Sequence, residues 1–302
     1  MIKSIHRIKE HGLSRKQLGY VLIMPSLLLI AFVSVYPFIM TFVYSFRTMK
    51  LNMPAMNQPF IGLKNYALLF NTERFINSFR ITFIFAASFV SLQLVFGLFI
   101  SLVLNMSFTG RALVRASILI PWAMALVITA LLWQWMYNAV FGVINAFLSV
   151  VGLLKEPVDW LGTTAESAFF AVLVVDMWRN TPFVAIILLA GLQSIPHDLY
   201  EAARIDGAGR VNCFFHITLP QLKHAMLIAL LFRSIDAFRA FDLLYVLTQG
   251  GPGTSTEIAS LYAYKMLFKF LDFGRGSAAT VVMAFFTTVL SLMYIRVLYV
   301  KD

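Results

Sequence analysis

Cysteine is almost missing from this chain: Cys213 is the only one in 302 residues. A disulfide framework needs pairs and is excluded. Cys213 and His216 have the spacing of two metal ligands, but no second pair accompanies them, so no metal centre is expected. Charge is scarce as well. Charged residues make up 13% against 60% hydrophobic, too little to coat a soluble domain of this length, which makes a polytopic membrane protein the first class to test. Acidic residues are the rarer sign, 14 against 24 basic. The basic residues form no stripe interleaved with aromatics, so nucleic acid is not the expected partner. No G-x-x-x-x-G-K-[ST] is present to cradle nucleotide phosphates. Neither a Ser/His/Asp set, a paired-carboxylate site nor a His-rich cluster points to an enzyme, and no catalytic residue is expected.

What the chain does have is long apolar runs. A spanning helix needs about 20 mostly apolar residues, and six stretches qualify: Leu18 to Val43, Ile81 to Leu104, Ala116 to Tyr137, Ala168 to Leu192, Leu222 to Leu247, and Ser277 to Leu298. They lack the alternation of a barrel, and a bilayer cannot solvate bare backbone amides, so the expected fold is all-α with six transmembrane helices. The first run is too long for a signal peptide and reads as a retained helix. Lys and Arg gather at the edges of the runs, where they set orientation. Lys3, Arg7, Lys9, Arg15 and Lys16, then Arg111 and Arg115, then Arg204, Arg210 and Lys223 would all lie on one side, the cytoplasmic one. Arg47, Lys50, Lys64, Arg74, Lys265, Lys269 and Arg275 fall opposite, so the bias is moderate. The layout expected is a cytoplasmic tail at 1–17, one membrane domain at 18–298 with a cytoplasmic loop at 193–221, and a tail at 299–302.

An ionisable group at the centre of a span costs roughly 2.5–3.5 kcal/mol on insertion scales, so it normally faces a cavity or a partner. Asp176, Arg179, Asn180 and Phe183 share one face of the fourth span, and Arg233, Asp236, Ala237 and Ala240 share one face of the fifth. Antiparallel packing brings both sets to one depth. Two readings stand: a polar ligand site, with Phe183 stacking on the ligand, or ion pairs that only join the helices. Arg239 and Asp242 fall off this face and read as structural, and Trp178 points away. Trp133 and Trp135 look like interfacial anchors.

Between the fourth and fifth spans the chain reads "EAARIDGAGRVNCFFHITLP" from Glu201. Asp198 and Glu201 have capping-box spacing, so a helix should begin at Leu199. Gly207 should end it in a left-handed turn, and a second helix should run from about Gly209 until Leu219 and Pro220 stop it. Leu199 and Tyr200 offer apolar contacts, while Ala202 and Ala203 let a partner approach closely. An amphipathic helix lying on the membrane is the alternative.

The pattern Glu201-Ala202-Ala203, Asp206-Gly207-Ala208, Phe214, Ile217, Leu219 and Pro220 resembles the EAA loop of binding-protein-dependent ABC importers. "FDLLYVLTQGGPGTSTE" from Phe241 resembles the signature of the maltose-permease kind, and the segments at 62–70, 119–138 and 176–196 are similar to the same subunit. The resemblance implies the type I ABC importer transmembrane fold and a permease subunit of a sugar importer in a bacterial or archaeal plasma membrane, with a cytoplasmic N-terminus. It implies a second, homologous permease subunit, two cytoplasmic ABC ATPases and an extracytoplasmic sugar-binding protein as partners, with the lipid bilayer around them. ATP and Mg would be bound by the ATPases, and no cofactor by this chain. The coupling residues would be Leu199, Tyr200, Glu201, Ala202, Ala203, Asp206, Gly207 and Ala208. The sugar pathway would use Asp176, Arg179, Asn180, Phe183, Arg233, Asp236, Ala237 and Ala240. Gly250, Gly251 and Pro252 would form an external turn. The large external insertion of the maltose permease subunit has no counterpart here, so contacts made through it do not carry over. A proton-coupled secondary sugar carrier is the alternative that the buried Asp residues suggest.

Overall fold

A computed structural model describes residues 14–56 and 59–299. Lys3, Arg7 and Lys9, and the last residues of the expected C-terminal tail, lie outside them. Within the described residues the apolar runs are helices, and the extended segments form only two isolated bridges, Arg47 with Phe60 and Lys50 with Asp272.

Helix α1 spans Lys16–Ser45. A reciprocal cap starts it: the Ser14 hydroxyl accepts from the Gln17 amide, and the Gln17 side chain accepts from the Ser14 amide. Pro37 has no N–H to donate, and the helix meets it just after one wider, π-type turn at Ala31–Val35. A short helix α2, Lys64–Phe70, leads into α3, Glu73–Asn105. This helix starts well before the expected Ile81, because its charged first turns carry no apolar signal.

The expected third span is not one helix. It consists of α4, Arg111–Ala123, and α5, Leu126–Met136, which meet at 91°. Met124 and Ala125 are extended at the corner, with ψ near 143° and 134°. Helix α6, Val143–Val150, precedes α7, Ala165–Gln193, whose start carries a Thr164–Ser167 capping box. The loop helices α8, His197–Ile205, and α9, Arg210–Gln221, follow. Helix α10, Lys223–Phe238, leaves α9 at 60°. The expected fifth span is also interrupted, since the helix stops at Phe238 and restarts as α11, Asp242–Leu247. Ser260 Oγ donates to the freed Ala240 carbonyl at this break at 2.5 Å. Helix α12, Ala259–Tyr264, and α13, Phe273–Tyr299, complete the bundle. Among the described residues four helices are long and apolar enough to cross a membrane, and up to six crossings result if each bent pair counts as one.

Helix α7 lies along α3 at the centre of the bundle. Close approach depends on glycine: a Cβ on Gly97 would sit 2.7 Å from Val184 Cγ1, and one on Gly191 would sit 2.6 Å from Ala225 Cβ. Lipid tails are as apolar as the side chains, so tight van der Waals contact between small residues holds such helices together. Phe85, Phe89, Val172 and Leu244 form the main cluster, and Trp133 belongs to it. Trp133 is therefore a packing residue and not the anchor its position suggested, while Trp135 is exposed.

The bundle has two distinct ends. Leu102 and Met106 near the end of α3 meet Tyr200, Arg204 and Phe214 of the α8–α9 loop at one. At the other, Arg74 at the start of α3 meets Glu257, and Lys50 meets Asp272.

Candidate functional site

Asp176 of α7 is the hub of a buried polar network. Its Oδ1 accepts from Asn180 Nδ2 at 2.7 Å, and its Oδ2 accepts from Gln93 Nε2 at 2.5 Å and from Arg233 Nη2 at 3.4 Å. Gln93 Oε1 accepts from Arg233 Nε at 2.7 Å, and Asn180 Oδ1 accepts from Arg179 Nη1 at 3.0 Å. Each amide thus takes a hydrogen bond from a guanidinium on its oxygen and passes one to the carboxylate through its NH2. Arg233 Nη1 also donates to Asp236 Oδ2 at 3.1 Å. Arg179 Nη2 donates to the Met124 carbonyl at 3.1 Å, which the α4–α5 corner leaves without a helical partner. The network ties α3, α4, α7 and α10 together, and removing one charge from such a pair costs about 3–5 kcal/mol because the other is left buried.

Beside the network lies a cavity of about 330 Å³. Asp176, Arg179, Asn180, Arg233 and Asp236 line it, with Ala237 and Ala240 as its small-residue wall, so seven of the eight expected pathway residues come together. Phe183 does not join them. Its ring stacks behind Trp122, with centroids 5.5 Å apart and planes at 14°, and Trp122 presents itself to the cavity instead. Arg239 and Asp242 line the cavity too, contrary to the helical-face argument, because the break after Phe238 turns them round. Trp178 lies outside it and packs edge-on to Trp133.

At the loop end, α8 begins at His197 and not at Leu199, with Pro196 at its cap position and no side-chain cap from Asp198. Gly207 has φ +81°, and the Ala208 amide reaches the Ala203 carbonyl at 2.8 Å while the Gly207 amide reaches Arg204 at 3.0 Å. This is the left-handed helix stop the sequence implied. Pro220 does not end the second helix: α9 runs through it to Gln221, since the wide turn at Phe214–Thr218 precedes the proline. Leu199, Glu201, Ala202, Asp206 and Gly207 are exposed, and Ala203 and Ala208 are half-buried. Tyr200 turns inward, packing near Leu192, Ile195 and Leu222 with its hydroxyl 3.0 Å from Thr218 Oγ1. Ile205, Val211 and Phe215 stand open to solvent instead.

A family model described as binding-protein-dependent transport system inner membrane component matches residues 74–300. The chain belongs to that family. Among relatives, the trehalose/maltose transport system permease protein MalF of Thermococcus litoralis is 42% identical, over 93% of this chain and 93% of its own length. The sulfoquinovosyl glycerol transport system permease protein SmoG of Agrobacterium fabrum is 37% identical, over 96% of this chain and 93% of its own. A bacterial ABC transporter that imports the acidic polysaccharide alginate contains a chain of the same fold. It superposes with a TM-score of 0.81 and 24% identity, covering 95% of this chain and 97% of that one.

In this inner-membrane component the third expected feature, the turn at Gly250, Gly251 and Pro252, sits at the end opposite the α8–α9 loop. Gly250 and Gly253 have φ of +89° and +60°. Thr256 Oγ1 donates to the Gly251 carbonyl at 2.7 Å and lies 2.7 Å from Thr248 Oγ1, closing the turn. Glu257 anchors the turn to the bundle. Its Oε1 and Oε2 accept from Arg74 Nε and Nη2, each at 2.8 Å, and Oε2 accepts from Lys265 Nζ at 2.5 Å. Burial acts to raise the Glu257 carboxyl, but the hydrogen bonds and charges of Arg74 and Lys265 outweigh it and hold the group below the ordinary glutamate range. Gln93, Trp122 and Glu257 were missed from sequence. Gln93 is uncharged inside an apolar run, and Trp122 and Glu257 acquire their roles only through long-range contacts.

Proposed function

We propose that this chain is the transmembrane subunit of an ATP-driven, binding-protein-dependent sugar importer, supplying half of the translocation pathway and coupling it to a separate ATPase. The observation that carries the reading is the α8–α9 pair, which presents exposed Leu199, Ile205, Val211 and Phe215 beside Glu201 and Ala202 at one end of the bundle. Apolar side chains grouped on an exposed loop at a bundle end suit a protein partner. A proton-coupled carrier needs no such docking pair. The polar cavity, with donors and acceptors matched to hydroxyl groups, supports a sugar as cargo, as do the names of the trehalose/maltose and sulfoquinovosyl glycerol relatives.

On this reading the external sugar-binding protein delivers cargo near the Gly250–Pro252 turn, which belongs to the outer gate. A second, homologous permease subunit completes the pathway, and two ABC ATPases grip α8 and α9 and bind ATP and Mg. This chain needs no cofactor and performs no catalysis. Arg111, Arg115, Arg204, Arg210 and Lys223 support a cytoplasmic α8–α9 end in a bacterial or archaeal cell, with the N-terminus on the same side.

Native mass spectrometry of the complex purified from its own membranes in mild detergent tests the assembly. The expected particle holds one copy of this chain, one similar membrane subunit and two soluble ATPases. A particle holding this chain alone, from material that still transports sugar, would overturn the importer reading in favour of the carrier.

A further inference from the structure

A second cavity, of about 660 Å³, adjoins the polar one, and Arg239 and Phe241 line both. Its other walls come from α1 at Phe38, α12 at Tyr264, the wide turn that follows at Phe268, and α13. A file of aromatic rings crosses it. Phe241 meets Tyr264 with ring centroids 4.8 Å apart, Tyr264 meets Phe268 at 5.0 Å, and Phe268 meets Phe273 at 6.4 Å. Phe273 starts α13 directly after Asp272, at the bundle end opposite the α8–α9 loop. The file therefore leads from that end inward to the polar cavity.

A groove filled by lipid would account for the rings but not for the polar groups among them. Arg239 sits in the break between α10 and α11, inside the fifth apolar run, and is exposed. Among the described residues no ion pair or side-chain hydrogen bond takes its guanidinium. An unpaired guanidinium at that depth needs water or a polar ligand rather than hydrocarbon. Thr280, Thr287 and Thr288 of α13 also line the cavity, and each hydroxyl donates to its own helix, which leaves oxygen lone pairs to accept. Phe268 is 61% exposed, so its ring is open to a ligand.

From this geometry we infer that the second cavity is an entry subsite for carbohydrate, a vestibule in which pyranose rings stack on Phe268 and Tyr264 before Arg239 and Phe241 pass them across the shared wall. The inference rests on the sugar-importer reading above and adds to it a site separate from the polar cavity. The C–H bonds on one face of a pyranose carry slight positive charge, and the face of an aromatic ring is negative. Stacking holds the sugar by that face and leaves its hydroxyls to the threonine oxygens and the forked donors of Arg239. Each ring contact is weak, so the cargo can move from one to the next.

The test uses the complete importer with its binding protein and ATP in proteoliposomes. The probes are maltose, trehalose, sucrose and maltotriose, with uronate and sulfonate counterparts. Phe268→Leu keeps apolar bulk at an exposed position and removes only the aromatic face. For the sugars that wild type takes up, it should slow uptake at subsaturating sugar about three- to tenfold, and Phe268→Trp should return uptake to within about twofold of wild type. A purely structural role would not separate leucine from tryptophan in this way. In a second measurement, with Cys213 replaced by alanine, Thr288→Cys should react with an impermeant maleimide during turnover, and a transported sugar should slow that reaction about threefold or more. If Phe268→Leu transports like wild type, if tryptophan does no better than leucine, or if the thiol is unreactive as it would be against lipid, the vestibule inference is wrong and the importer reading stands. If wild type takes up none of the probes, the sugar reading itself fails and this inference falls with it.

Discussion

Buried charge in this protein is managed by amides and by paired cations, one residue at a time. Asp176 receives its hydrogen bonds from Gln93, Asn180 and Arg233, and Glu257 receives its own from Arg74 and Lys265. The second site makes a pH prediction. Because the folded Glu257 carboxyl lies below its ordinary value, its contribution is complete above the unfolded pKa of about 4.3 and is lost as pH falls through the lower folded value. Acidification below about pH 4.3 should therefore lower the melting temperature of wild type more than that of Glu257→Gln. At neutral pH the variant should be the less stable of the two by about 1.5–3 kcal/mol, the range for hydrogen bonds to charged groups. Parallel pH–melting curves for the two proteins would remove Glu257 as the acid-sensitive anchor. Asp176, Arg179, Arg233 and Asp236 were legible from sequence because a charge inside a span demands a reason. Gln93 was not, since a lone amide among Leu and Phe makes no such demand until its partners on α7 and α10 are known.

The element scale shows where hydropathy reads well and where it is blind. Long unbroken spans such as α7 were legible to within a few residues, as was the glycine stop between α8 and α9. The corner at Met124 was not. It depends on two extended ψ angles and on Arg179, far along the chain, taking the freed carbonyl. The break after Phe238 was hidden for the same reason, and missing it sent Arg239 and Asp242 to the wrong face. At Gly207 the backbone sits at φ +81°, where a β-branched side chain is strained by about 1–2 kcal/mol or more. Gly207→Val should leave expression and membrane insertion intact while abolishing sugar-stimulated ATP hydrolysis by the complex, and Gly207→Asn, which tolerates this conformation, should retain most of it. Normal stimulation in the valine variant would show that the turn is dispensable for coupling.

For the whole molecule, the two ends of the bundle give the orientation a direct check. With Cys213 replaced by alanine, a cysteine placed at exposed Val140 should react with an impermeant maleimide on intact cells, and one at exposed Ser107 only after the membrane is opened. The reverse pattern would invert the topology. The fold class was legible because the bilayer leaves few choices for an apolar chain. The proposed assembly rests on the EAA resemblance, since no physical property of a single chain lists its partners.

The 60° corner between α9 and α10 has a mechanical meaning. On the proposed reading, the loop that would face an ATPase and the helix that carries Arg233 are the two arms of one crank, pivoting at Leu222. At 1.5 Å per residue, Arg233 sits about 16 Å from that pivot, so a swing of about 10° carries it about 3 Å. Hydrogen bonds do not stretch that far. In an importer of the proposed kind, a small stroke at the loop end would be enough to unlatch Arg233 from Gln93 and Asp176, and the cavity wall would change character with each stroke.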